Sequence, residues 1–277
     1  MIERAAHSAA ALTLRTFARD AWRYRHFILS SILADVRKRF ARSRIGGAWV
    51  IIHPLAQVAL FALILSKILS AKLPGIDHEF AYAIYLCAGI LAWSLFAELL
   101  GSGANLFIVN GELLKKIAFP RICLPIITAG IALVNHLSLL LAILVIFTLL
   151  GHPPNHLLLW LPPLIALMTG LGLGLGLLLG VLNVFMRDVG QVVQLLLQFG
   201  FWLTPIVYMP EILPDWVRPW LQLNPVYPLV RGYQDVLAFQ QPPALTAILA
   251  GALLAGLLLV LALWLFRRAE AELVDQL

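Results

Sequence analysis

Charge is scarce in this sequence. Asp, Glu, Lys and Arg make up 12% of its 277 residues, while 61% are hydrophobic. An ordinary soluble domain holds about twice that charge and about 45–50% apolar residues. A water-soluble globule of this size has no way to hide so much apolar surface, because its outside must still be wetted. The shortage excludes a soluble enzyme and a disordered chain. Cysteine is scarce as well. Cys87 and Cys123 both sit in apolar runs, which suits buried, inert thiols better than a bridge and excludes a disulfide scaffold. What remains is an all-α integral membrane protein with little outside the bilayer, and its length suits one membrane domain.

Other absences narrow the function. No G-x-x-x-x-G-K-[ST] occurs, so ATP cannot be held by a P-loop. No H-E-x-x-H and no Cys/His metal spacing occurs either. The apolar runs are nearly free of charge. Glu98 lies near one end of the second and Lys67 near one end of the first, and His53 and His136 are the ionisable groups deeper within. Each histidine reads more simply as a hydrogen-bonded packing residue than as a proton relay. An ion-driven carrier usually shows such a relay, and a membrane-bound transferase shows an acid–base pair. The acidic pair on offer, Asp77 with Glu79, falls on a short loop and reads as solvated surface. Any uphill movement would then draw on another subunit.

Six apolar runs are long enough to span, at 49–69, 82–100, 122–150, 157–185, 191–209 and 245–266. Pro125, Pro162 and Pro163 mark helix starts or kinks in the third and fourth. Sixteen of the 20 Lys and Arg fall in the flanks and loops of one side; Lys67, Lys72, Arg218 and Arg231 do not. This asymmetry puts both termini in the cytoplasm. The net charge of +6 therefore reflects a cytoplasmic flank beside anionic lipid rather than a nucleic-acid surface. The expected organisation is a cytoplasmic N-terminus at 1–48, a transmembrane domain at 49–266 and a cytoplasmic tail at 267–277. No cleavable signal peptide is expected, since Ala5–Leu14 is short and broken by His7 and Ser8.

Several segments invite a role beyond spanning. Residues 22–42 read as a basic amphipathic helix lying in the interface plane, turned into the bilayer at Gly46–Gly47. The inner loop at 105–121 predicts a short helix, Glu112–Ile117, capped by Asn110 and stopped before Pro120. Its Leu113, Leu114 and Ile117 form an apolar knob beside Lys115 and Lys116, suited to a groove on a cytoplasmic partner or to an ordinary basic loop. Gly172, Gly176 and Gly180 share a face for close packing, within the bundle or against a subunit. Trp93, Phe96, Phe199, Trp202 and Tyr208 offer aromatic faces to a sugar, or simply pack. The stretch 210–244, with Trp216, Trp220, Tyr227 and seven prolines, is too polar to span and too apolar for a free loop. Re-entrant helices capping a cavity fit it, as does an aromatic anchor on the outer surface.

These residues carry a resemblance. RKRFARSRIGGAWVIIHPL at 37–55, YLCAGILAWSLFAE at 85–98, NGELLKKIAFPRICLP at 110–125, VFMRDVGQVVQLLLQFGFWLTPIVY at 184–208 and LNPVYPLVRGY at 223–233 stand in order along the chain. Together they resemble the transmembrane subunits of polysaccharide ABC exporters, most of all the O-antigen export permeases. The first 20 residues and the last 45 match only in general character. The resemblance implies a homodimer forming a channel, with two separate ATPase subunits that hold ATP and Mg. The loop helix from Asn110 to Ile117 would be the coupling helix. Trp216, Trp220 and Tyr227 would belong to a periplasmic gate, and Arg42 and Arg44 would meet the diphosphate of an undecaprenyl-linked glycan. Localisation would be the cytoplasmic membrane. A capsule or teichoic acid exporter, and an integral membrane enzyme acting on lipid-linked sugars, remain as other readings.

Overall fold

The computed structural model describes residues 19, 21–41, 46–49, 51–57, 59–60, 80–116 and 120–276. All regular structure among them is helical. In chain order the helices are α1 (Arg25–Ala41), α2 (Ala81–Ala104), α3 (Leu106–Val109), α4 (Gly111–Lys116), α5 (Cys123–Leu149), α6 (Leu161–Phe185), α7 (Asp188–Leu203), α8 (Arg218–Leu221), α9 (Tyr227–Leu237) and α10 (Leu245–Gln276), with a 3₁₀ turn, His156–Trp160, leading into α6.

Among the described residues, four helices are long and apolar enough to cross a bilayer: Ala81–Ala104, Cys123–Leu149, His156–Phe185 and Leu245–Ala269. They coincide with the second, third, fourth and sixth expected spans. Pro125, Pro162 and Pro163 all lie in the first turns of their helices, where a missing N–H costs nothing. Of the expected first span, residues 49, 51–57 and 59–60 are helical and the rest lies outside the described residues.

The fifth expected span, 191–209, differs. α7 ends at Leu203 after 16 residues, or about 24 Å of rise, short of a hydrocarbon core of about 30 Å. Pro205 is the reason. A residue before proline is pushed out of the helical region, and Thr204 is extended at φ −95° and ψ 131°.

α2 is the centre of the bundle, buried over most of its length and packed by α5, α6, α7 and α9. Its contact with α6 is backbone on backbone. A Cβ at Gly103 would come 2.8 Å from Gly176 Cα, one at Gly176 would come 2.7 Å from the Leu99 carbonyl, and one at Gly180 would strike the Gly103 carbonyl. Gly170 and Gly174 face the other way, toward Ala255, Leu258 and Leu259 of α10. The glycine pattern therefore serves packing inside the chain, with one row for each neighbour of α6. α1 packs on α5, burying Ile28 and setting Ile32 against Gly130, while Leu29 and Leu33 stay exposed.

Candidate functional site

Two polar stripes interrupt this apolar bundle. Ser94, Glu98 and Ser102 recur every fourth residue on α2, and Gln194 and Gln198 do so on α7, so each set shares a helix face. The fold sets them across an open cleft of about 970 Å³. His53 and Gln57 from the 51–57 helix and Asn135 and His136 from α5 complete its polar lining. The Asn135 amide donates to Glu98 Oε1 and orients that carboxylate. Amides and hydroxyls at hydrocarbon depth are costly unless water, protein or a polar ligand meets them. The cleft has room for water or a polar ligand to meet them.

The aromatic residues divide. Trp93 and Trp202 line the cleft. The Trp93 ring rests on Gly200, where a Cβ would come within 2.9 Å of it, and meets Phe201 edge-on at 6.1 Å. Phe96 touches Trp93 at 5.5 Å but is 5% exposed and belongs to the core. Phe199 is 63% exposed on the outward side of α7. Tyr208 is half-buried and donates its hydroxyl to the Trp202 carbonyl at 2.9 Å.

Beyond α7 the chain runs irregularly through 204–209, and side chains satisfy its backbone. The Tyr82 hydroxyl donates to the Val207 carbonyl at 2.6 Å. The Tyr85 hydroxyl, with one proton, is shared between the carbonyls of Pro205 and Tyr208 at 3.1 and 3.0 Å. Gln234 of α9 donates to Pro205 at 3.0 Å, and Asn224 donates to Thr204 Oγ1 at 2.8 Å. Irregular backbone at membrane depth survives only when protein buries it in this way. α9 also reaches the cleft, since the Tyr233 hydroxyl lies 3.2 Å from His136 Nε2. On its other side Arg231 pairs with Asp235 at 3.0 Å and covers the Phe239 ring at 4.7 Å. Burial pushes the Asp235 carboxyl above its usual range, against the pull of the Gln241 amide and the Arg231 guanidinium. Of the three residues expected at a gate, Trp216 and Trp220 are exposed and Tyr227 is half-buried at the start of α9.

The loop between α2 and α5 is a two-step turn, α3 then α4. Phe107 of α3 stacks on Phe266 of α10 at 5.5 Å, which anchors the loop to the last span. Asn110 does not cap α4 with its side chain as expected. Its amide donates back to the Leu106 carbonyl at 2.8 Å, and its backbone carbonyl accepts the Leu114 N–H. Leu114 does not join an exposed knob; it packs at 9% exposure with Phe107, Leu177 and Phe266. Leu113 is half-buried, Glu112 and Lys115 are exposed, and the apolar residues presented outward among the described ones are Ile108 and Val109, at 41% and 77% exposure. The side chain of Lys116, together with Ile117, Arg42 and Arg44, lies outside the described residues.

Sequence reasoning missed the polar stripes, whose signal was the four-residue spacing of Ser94, Glu98 and Ser102 inside an apolar run. It also missed Asn183. That side chain, 1% exposed, donates to the Ala104 carbonyl at 2.8 Å and accepts the Gly190 N–H at 2.9 Å. It ties the C-terminal ends of α2 and α6 to the N-terminal end of α7.

Comparison with known proteins agrees with this arrangement. The family model described as ABC-2 type transporter matches residues 28–238. An O-antigen export system permease protein RfbA of Myxococcus xanthus is 24% identical over 261 residues, covering 94% of this chain and 98% of its own. One of the same name from Klebsiella pneumoniae is 25% identical over 203 residues, 73% of this chain and 76% of its own. The helices from α2 to α9, most of α1 and the cleft's lining fall inside the matched region, and this multi-pass membrane chain belongs to the ABC-2 type transporter family.

Proposed function

We propose that this chain is the channel-forming permease subunit of an ATP-driven exporter that moves lipid-linked polysaccharide of the O-antigen type across the cytoplasmic membrane. The observation that carries the reading is the cleft: amides, hydroxyls and aromatic edges at the middle of an apolar bundle. Sugar rings present apolar C–H faces and hydroxyl rims, so they match a wall of aromatic and uncharged polar groups. Many similar weak contacts also let a polymer slide, because binding must be weak enough to release at each step. The names of the two relatives point to the same cargo.

The open side of the cleft supports a homodimer. α7 buries Val193 alone and leaves Gln191, Gln194 and Gln198 exposed. Such a polar face does not suit lipid. A second copy of α7 across the opening would turn two half-clefts into one channel with protein or water on every side. Work would come from two ATPase subunits, which hold ATP and Mg, bound below α3 and α4. Nucleotide shifts the channel only if the ATPases grip its two states differently, and the inner loop is where that difference would enter. Both termini would be cytoplasmic, α1 would lie along the inner interface, and 204–244 would close the outer end.

The test is reconstitution. Permease and ATPase in lipid vesicles should carry a polyprenyl-diphosphate-linked glycan across in an ATP-dependent manner. A cysteine placed at Gln191, on the polar face of α7, should cross-link two permeases. Glycan turnover by the permease alone, with no transport, would return the chain to the enzyme class.

A further inference from the structure

We infer that the stacked rings of Phe107 and Phe266 are the joint that carries movement of the α3–α4 loop into the last span, and from there to one wall of the cleft. This rests on the reading of the chain as an ATP-driven permease and assigns the route of its stroke. Both are positioning residues, since they are buried and neither lines the cleft. Their rings lie 5.5 Å apart and 13° from parallel, at 1% and 2% exposure. Around them Leu106 and Leu114 of the loop meet Val181 of α6 and Ala262 of α10 in a small core separate from the central one. α3 has four residues and α4 six, too few to hold a shape by their own hydrogen bonds. What they pack on therefore sets their position. A close-packed core hardly compresses, so it passes a displacement on.

The displacement has a path. α10 lies against α6 where Gly174 leaves room, and a Cβ there would come 3.0 Å from Leu258 Cβ and 3.1 Å from the Leu258 carbonyl carbon. α6 in turn lies backbone on backbone against α2 through Gly176 and Gly103. The loop, α10, α6 and α2 thus form one body, and α2 brings Trp93, Ser94 and Glu98 to the cleft. The facing wall is held differently. α7 buries Val193 alone, and the backbone is extended on either side of it, at Met186 and at Thr204. Residues at helix ends absorb the torsions of a hinge. A push on the loop then shifts α2 past α7 and changes the width of the cleft.

The test measures glycan transported per ATP hydrolysed by the permease–ATPase complex in vesicles. Phe107→Leu and Phe266→Leu keep the small core apolar and lose the stack. Both should assemble with the ATPase and hydrolyse ATP, while transport per ATP falls at least about fivefold, the low end of a coupling between sites. The double variant should lose no more than either single one, because contacting residues share one joint. Phe147→Leu, an equally buried ring of the central core, controls for packing and should keep the unaltered ratio. A second measurement leaves both cores intact. Spin labels at Leu257 of α10 and Leu195 of α7, both exposed, are placed in one protomer of a mixed dimer. Their separation should change by about 2 Å or more when ATP binds. Labels at Leu257 and at Leu182 of α6 should keep theirs. An unchanged ratio in assembled leucine variants overturns the inference, as does an equal fall in Phe147→Leu. So does a double variant whose loss is the product of the single losses, a fixed separation between α10 and α7, or a shift between α10 and α6. In each of these outcomes the unaltered complex still transports, and the permease reading stands. An unaltered complex that moves no glycan with ATP removes both.

Discussion

Asn183 accepts the backbone N–H of Gly190 at 2.9 Å while its amide donates to the Ala104 carbonyl at 2.8 Å. One side chain thus joins the ends of three helices. Glycine at 190 suits this closeness, as a Cβ there would sit 3.0 Å from the Asn183 amide nitrogen and crowd that side chain. Asn183→Leu leaves both backbone groups without these partners in a buried place, at about 1–3 kcal/mol for each. The expected result is a clear drop in the melting temperature of the detergent-purified permease. Asn183→Asp keeps the acceptor for Gly190 but sets a buried carboxyl against the Ala104 carbonyl, and should lower the melting temperature as well. A melting temperature unmoved by Asn183→Leu would remove the joint.

The glycines of α6 make a sharper contrast. Gly176→Ala puts a methyl 2.7 Å from the Leu99 carbonyl and 3.1 Å from Gly103 Cα, both backbone atoms that cannot swing aside. α2 and α6 must separate, and overpacking of this kind costs about 1–3 kcal/mol. Gly256 of α10 has nothing within 4 Å of the corresponding position. Gly256→Ala should therefore be neutral or slightly stabilising, because alanine is the better helix former. Thermal melts of the two variants, side by side, check the ranking.

Tyr82 and Tyr85 bond to the 204–208 segment through their hydroxyls, so Tyr→Phe removes those bonds while keeping the ring. Tyr82→Phe strips the Val207 carbonyl of a 2.6 Å bond, and Tyr85→Phe affects Pro205 and Tyr208 together. Each change should cost about 1–3 kcal/mol locally. Hydrogen exchange should quicken across 204–209 and stay unchanged in the middle of α6. Uniform quickening over the whole bundle would mean that the tyrosines support the core rather than this segment.

The long spans were legible because apolar runs of about 20 residues have few other uses, and the prolines of α5 and α6 marked true starts. The end of α7 was also written in the chain, as Thr204–Pro205, but the apolar run continued past it and masked the break. The cleft was harder to read. Single Ser, Asn and Gln residues in an apolar run look like tolerated exceptions until a fold shows that Ser94, Glu98 and Ser102 face Gln194 and Gln198. Aromatic residues drew attention first because they are large, yet Phe96 proved to be core and Phe199 to lie off the cleft. Nor does local periodicity separate Leu113 from Leu114, since which one turns inward depends on Phe266, more than 150 residues away in the chain.

That last distinction can be tested, because it separates folding from docking on one short loop. Leu114 packs against Phe107 and Phe266 at 9% exposure, whereas Val109 stands at 77%. Leu114→Asp buries a charge with no place for it and should cost about 3 kcal/mol or more. The permease should then be lost from the membrane. Val109→Asp places its charge in water and should leave the stability within about 1 kcal/mol of the original, read as a nearly unmoved melting temperature. If the ATPase docks at this loop, Val109→Asp should still lose co-purification of the ATPase and ATP-dependent export. Leu113→Asp, at a half-buried site, should lose export with a smaller loss of protein than Leu114→Asp. Full export by a well-inserted Val109→Asp permease would move the docking surface away from α3 and leave α4 to carry it.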